Sequence, residues 1–167
     1  MKVELYTLKK DDVECFSSSL PKDVYENTDK DGFFAIGAVG TREKQSVPVG
    51  IIQFHTNITS DEQFFVEITY LYIAEDYRRD GIGSTLIDSV RNINKNSAVD
   101  ILTALIPTED INENNMDITV KEFGEFFDMQ GFSKEDVNLK MYSSVVTDVY
   151  PNINETNFVR YTKLLQL

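Results

Sequence analysis

Residues 65–94, FVEITYLYIAEDYRRDGIGSTLIDSVRNIN, decide how the chain is read. From Phe65 to Ile73 the run is β-branched and aromatic, the composition of a strand. A charged turn follows, Glu75-Asp76-Tyr77-Arg78-Arg79-Asp80, and then Gly81-Ile82-Gly83. Beyond the second glycine the period changes, so that Leu86, Ile87, Val90 and Ile93 fall on one helical face. A strand, a glycine-bearing turn and a helix start together make a phosphate-binding architecture, because the first amides of a helix have no partner inside it.

Working outward, Val3 to Leu8 reads as a first strand, and Asp11 or Asp12 is placed to cap a helix running to Leu20. Lys22 to Tyr25 reads as a second short helix. Phe33 to Val39 and Val47 to His55 read as two strands of an antiparallel hairpin, joined by the polar stretch Gly40 to Ser46. After the long helix, Val99 to Ile106 is the most apolar strand, ended by Pro107. Asp110 to Asp117 forms an acidic loop. Thr119 then opens a second amphipathic helix, with Val120, Phe123, Phe126 and Phe127 inward and Gly131 as its C′ residue. Leu139 to Val146 and Phe158 to Leu165 read as the last strands. Strands and helices mixed along one chain imply an α+β (mixed α/β) class around one mostly antiparallel sheet. At 167 residues the economical organisation is a single domain, 1–167.

Composition narrows the partners. Twenty-eight acidic side chains against 16 basic ones give a formal net charge of -12. Such a surface repels polyphosphate backbones and anionic lipid, so neither nucleic acid nor membrane is an expected partner, while a cationic amine is attracted. There is no apolar leader-like segment and no long apolar run, which points to a cytoplasmic location. The one cysteine, Cys15, has no intrachain disulfide partner and reads as a small core residue.

The phosphate ligand can be narrowed by elimination. The dinucleotide fingerprint requires a third glycine where Leu86 stands, and no Gly-Lys-Ser/Thr triplet exists for a P-loop. What remains is Arg78-Arg79-Asp80-Gly81-Ile82-Gly83, an R-x-x-G-x-G run directly after a strand. Here the chain resembles the GNAT superfamily of N-acetyltransferases, whose signature is Q/R-x-x-G-x-G/A. Tyr70-Leu71-Tyr72-Ile73 resembles the family's motif strand, and Phe126-Phe127-Asp128-Met129-Gln130-Gly131-Phe132 resembles the end of its later helix. The order of elements is similar over nearly the whole chain.

That resemblance implies a GNAT-like fold: a twisted sheet of about six to seven strands with about four helices, splayed at an acetyl-CoA cleft. It implies acetyl-CoA as cosubstrate, no metal, and transfer of acetyl to a primary amine of a small molecule or peptide through a ternary complex. It implies backbone pairing of Leu71, Tyr72 and Ile73 with the pantetheine arm. Amides of Arg79, Asp80, Gly81, Ile82, Gly83 and Ser84 would cap the pyrophosphate, with Arg78 beside it. Glu67 matches the strand glutamate that acts as base in the family, and His55 is the alternative. The family's helix tyrosine, the acid for the leaving thiolate, is replaced by Phe127, and an accompanying asparagine by Val120. Tyr142, Tyr72 and Tyr70 are the substitute hydroxyls, or solvent serves. A catalytically silent acyl-CoA-binding module acting through a protein partner is the competing implication, and a monomer or a homodimer fits either. Asp110, Glu113 and Asp117 would favour a cationic acceptor if their loop reaches it.

Overall fold

The computed structural model describes residues 1–17, 20, 22–58, 64–95, 99, 101–107, 120–135 and 158–164. Two compact units are separable, Met1–His55 with Ile68–Asn96, and Thr56–Glu67 with Ser97–Leu167.

In the first unit β1 (Lys2–Thr7) leads to α1 (Lys10–Val13), which tightens into a 3₁₀ turn over Glu14–Phe16. The helix begins earlier than its carboxylates suggest: Lys9 is the N-cap, and Asp12 turns back to accept the Lys9 amide at 3.3 Å. Cys15 is exposed, a correction to the core position expected for it. It follows the single buried residue of α1, Val13, and falls on the outer side of the tightened turn. After α2 (Lys22–Asn27), β2 (Phe33–Arg42) and β3 (Gln45–Ile58) form the expected antiparallel hairpin. Both strands run further than their apolar cores, leaving only Glu43 and Lys44 as the turn, at φ of 50° and 67°. That is a two-residue hairpin turn of the left-handed type, built without glycine.

β4 (Phe64–Ile73), which belongs to this unit from Ile68 onward, and α3 (Ile82–Ile93) complete it, in the strand order β1-β2-β3-β4. Helices lie on both sides of these strands. On one side Leu8, Val13, Ala35 and Ile51 form a core with Phe16, Leu20, Tyr25, Tyr70 and Tyr72 packed on it. On the other, α3 buries Ile82, Leu86, Ile87 and Val90. Ile93, expected on the same stripe, is 58% exposed. It is the last residue of the helix. Along β1, Lys2 Nζ stands 3.0 Å from Glu4 Oε1, and the Tyr6 hydroxyl donates to Glu4 Oε2 at 2.6 Å.

In the second unit the order is β4-β5-β7-β6, with β5 (Ile101–Pro107), α4 (Val120–Met129), β6 (Ser133–Glu135) and β7 (Phe158–Leu164). β7 runs antiparallel to both β5 and β6. Gly131 at φ 85° closes α4. The amide of Gly131 bonds Asp128 O and that of Phe132 bonds Phe127 O, both at 3.0 Å, while the Phe127 and Phe132 rings meet edge-on at 5.1 Å. This is the glycine-terminated Schellman cap with its hydrophobic contact, and Lys163 adds a bond to Gln130 O at 2.6 Å. β6 was not expected from sequence, being only three residues long. The strand expected over Leu139 to Val146 and the acidic loop from Asp110 to Asp117 lie outside the described residues. The class is α+β with a mostly antiparallel sheet, as the sequence implied.

Candidate functional site

β4 hands the chain to α3 through a short, tightly bonded turn. The Ala74 amide donates to Val49 O at 2.9 Å, and a 3₁₀ turn covers Glu75–Tyr77. Arg79 then sits at φ 67° and Gly81 at φ 81°. A left-handed backbone costs a residue with a Cβ roughly 1–2 kcal/mol, so Arg79 holds strain that the flanking structure must impose. Left-handed residues in close succession swing backbone amides towards one point, a concavity suited to an anion.

The first intrahelical rung of α3 is Thr85 N–H to Gly81 O at 3.0 Å, and the Thr85 hydroxyl reaches the same carbonyl at 3.0 Å. The amides of Ile82 and Gly83 therefore stand at the helix mouth, ahead of the ladder, where the helix dipole favours negative charge. The first turn of α3 carries no acidic side chain to compete for that position. A Cβ on Gly81 would meet nothing within 4 Å, so the approach to the mouth is open there. Arg79, Asp80 and Gly81 are exposed, Ser84 is half-buried, and Ile82 and Gly83 are buried.

Arg78 behaves differently from a free surface cation. Its Nε donates to Ile73 O at 2.9 Å, and its guanidinium lies 5.9 Å from the centre of the Tyr72 ring. The side chain folds back onto the strand it has just left and braces the turn. Leu71 and Tyr72 are half-buried and Ile73 is buried. Tight packing around Gly50 of β3 brings this strand end and the helix start together. A Cβ there would come within 2.8 Å of Ile73 Cδ1, 3.1 Å of Tyr72 O and 3.3 Å of Ile82 Cγ2.

Among the candidate acid and base groups, Glu67 is fully buried at 0% exposure and accepts a hydrogen bond from the Thr103 hydroxyl of β5. Thr103, itself fully buried, has no signal in sequence beyond being a polar residue in an apolar strand. His55 lies inside β3 rather than at its end, opposite Phe33 with the two rings 4.2 Å apart. The Tyr70 hydroxyl pairs with Ser17 at 2.8 Å, and burial pushes its pKa up to about 12. Its ring lies parallel to that of Tyr72 at 6.5 Å. Tyr142 falls outside the described residues.

Phe127 is 2% exposed, enclosed by Phe126 at 5.2 Å, Phe132 at 5.1 Å and Tyr161 of β7 at 6.2 Å. The sequence did not single out Tyr161, although its place in the final apolar run marked it as a strand residue. Burial raises its pKa, and the Asp128 charge adds to the effect. No group of three or more His, Cys, Asp or Glu side chains able to hold a metal occurs among the described residues. None of the described helices is long and apolar enough to cross a membrane.

A strand, a left-handed turn and an anion-receptive helix mouth on a mostly antiparallel sheet make this an α+β protein with a phosphate-receptive turn. The sequence model of the acetyltransferase (GNAT) family matches residues 3–124, and the chain belongs to that family. NAA60 of Arabidopsis thaliana in complex with acetyl-CoA is similar in structure at a TM-score of 0.64 and 14% identity, covering 98% of this chain and 97% of that one. A GNAT-family acetyltransferase of Staphylococcus aureus Mu50 matches at 0.63 and 14% identity, covering 99% of this chain and all (100%) of its own. The IAA acetyltransferase of Bacillus cereus ATCC 14579 matches at 0.62 and 14% identity, covering 98% of this chain and 100% of that one. At these identities the likeness is one of fold. No curated protein matches the chain by sequence.

Proposed function

We propose that this chain is an N-acetyltransferase, a single domain over 1–167 that moves the acetyl group of acetyl-CoA to a primary amine by direct attack in a ternary complex. The observation that carries the reading is the turn itself: Arg78 to Gly83, with Gly81 at φ 81°, opens α3 inside the segment matched by the family. In this reading the amides from Arg79 to Ser84 receive the pyrophosphate. Backbone groups of Leu71, Tyr72 and Ile73 pair with the pantetheine arm. The Ile73 carbonyl already accepts Arg78 Nε, so Arg78 serves the site chiefly by holding the turn in shape.

The chemistry balances simply. The neutral amine attacks the thioester carbonyl, the C–N bond forms, and the C–S bond of the tetrahedral intermediate breaks. The amine surrenders a proton and the departing thiolate gains one, giving amide and free thiol. Glu67 is the proton acceptor in this scheme, with the Thr103 hydroxyl on one carboxylate oxygen orienting the other. Tyr142 is the proposed proton donor, since Phe127 has no hydroxyl. The acidic surface favours a cationic acceptor, a small molecule or a peptide. A cytoplasmic monomer or homodimer belongs to the same proposal.

One observation favours a second reading. Phe127 is sealed among aromatic rings, and an acyl-CoA binder that acts through a protein partner would need no proton donor there. Calorimetric titration with acetyl-CoA, followed by thiol release over polyamines, aminoglycosides, amino acids and peptides, separates the two. Binding with turnover on one amine class is expected. Binding without turnover on any would transfer support to the silent module, and absence of binding would sink both. Glu67→Gln is expected to lower turnover at neutral pH by roughly two orders of magnitude while acetyl-CoA still binds with unchanged affinity; an unaltered rate would remove Glu67 from the base role.

A further inference from the structure

Strict alternation along β4 fails at one step, and the side chains that hold the failure in place can be named. Ile73 lies on the α3 side, where a Gly50 Cβ would strike it and Ile82. Tyr70 and Tyr72 pack on the opposite side, against the core containing Ala35 and Ile51. With a period of two, Thr69 belongs with Ile73. Instead its hydroxyl donates to Gln53 Oε1 at 2.7 Å. Gln53 is paired across the hairpin with Ala35, so it stands on the Ile51 side. Thr69 and Tyr70 are therefore consecutive residues directed to one face, the signature of a bulged strand. The residues that follow the irregular step are Leu71 to Ile73.

Both members of the step are tethered. The Tyr70 hydroxyl is bonded to Ser17 at 2.8 Å. Gln53, fully buried at 0% exposure, directs Nε2 to Val24 O at 2.7 Å and to Thr28 Oγ1 at 3.1 Å while its Oε1 takes the Thr69 hydroxyl. Its whole hydrogen-bonding capacity on the nitrogen is thus spent on the end of α2. An apolar side chain would fill this space without the desolvation penalty of a buried amide, so what the amide adds is directional bonding rather than packing.

We propose that Gln53 is a positioning residue. Through Thr69 it fixes the irregular step of β4 and so sets the direction of the Leu71–Ile73 backbone groups that would meet the pantetheine arm. The inference rests on the acetyl-CoA reading above. A network that only anchored α2 to the sheet would affect stability but leave ligand affinity alone.

Thr69→Val and Gln53→Met remove the bond with little change of volume, and the double variant completes a cycle. Acetyl-CoA affinity by calorimetry, on variants verified as folded, is expected to fall roughly tenfold in each single variant. The double variant is expected to lose no more than either, because both substitutions break the same link. Affinities within twofold of the unmodified chain in both single variants would overturn the proposal. A second readout needs no ligand: the backbone amide NMR shifts and hydrogen exchange of Leu71–Ile73 should move in Thr69→Val. If the unmodified chain fails to bind acetyl-CoA, the functional reading falls, and amides that do not move overturn the positioning role as well.

Discussion

Gly50→Ala is a small change at the point where β3, the end of β4 and the start of α3 converge. The added methyl would stand 2.8 Å from Ile73 Cδ1, 3.1 Å from Tyr72 O and 3.3 Å from Ile82 Cγ2. Ile73 Cδ1 is the tip of a flexible side chain and can rotate away. The Tyr72 carbonyl is backbone of a neighbouring strand and can retreat only by widening the spacing between strands. Overpacking of this kind costs about 1–3 kcal/mol, from which the lower entropy of the unfolded alanine chain returns about 0.4–1. A net loss of about 1–2 kcal/mol lowers Tm by about 2–8 °C for a chain of this size. Acetyl-CoA affinity should fall in parallel, because the displaced groups belong to the strand end and helix start of the proposed site.

Gly81→Ala is the control, since a methyl there meets nothing within 4 Å and only the φ of 81° resists it. Its cost is torsional, about 1 kcal/mol, without a steric part. Differential scanning calorimetry of both variants, with and without acetyl-CoA, checks the pair. A Gly50→Ala protein as stable as the parent would refute the close approach on which the reasoning rests.

Other substitutions probe separate parts of the molecule. Burial raises the Tyr70 phenol from 10.0 to about 12, so the folded state holds its proton more tightly than the unfolded chain. The associated stability is complete below pH 10 and lost as pH rises through the window from about 10 to 12; denaturant titrations should show this decline, and Tyr70→Phe should remove that part of it. Phe127→Tyr places a hydroxyl among buried rings and should destabilise by about 1–3 kcal/mol without raising turnover. A gain of an order of magnitude in thiol release would show instead that a donor at this position was the missing component. Gly131→Ala, at φ 85° with Lys163 Nζ 3.2 Å from the new methyl, should lower Tm by about 2–4 °C through loss of the α4 cap. An unchanged Tm would argue that Lys163 alone terminates the helix.

The strand, turn and long helix were legible because each carries a local signal: β-branched residues, paired glycines, then a period near 3.6. The α4 terminus was legible for the same reason, Gly131 being a left-handed residue that sequence marks well. The hairpin turn was less so, because Glu43 and Lys44 adopt positive φ without the Asn-Gly chemistry that normally announces it. Glu67 could be flagged as a charge within an apolar strand, but whether it faced water or Thr103 depended on a strand 36 positions away. Gln53 and Gly50 were silent. A glutamine in a strand reads as outward-facing, and a glycine there reads as a weak point, until the opposing strand and helix are in place. The break in alternation at Thr69 is likewise set by partners on β3 and α1–α2, which no period along β4 encodes.

The outermost strand of the first unit carries a further consequence. Glu4 is already shared between Lys2 and Tyr6, and both contacts are in water. A foreign strand adding to β1 would have to dehydrate that carboxylate and its ammonium partner for a few backbone hydrogen bonds, an unfavourable exchange. Charges along an edge strand are one of the devices that disfavour pairing with a foreign strand. Neutralising Glu4, whose side-chain contacts are with Lys2 and Tyr6 and not with the proposed acetyl-CoA turn, would be expected to show itself first as turbidity rather than as lost ligand binding.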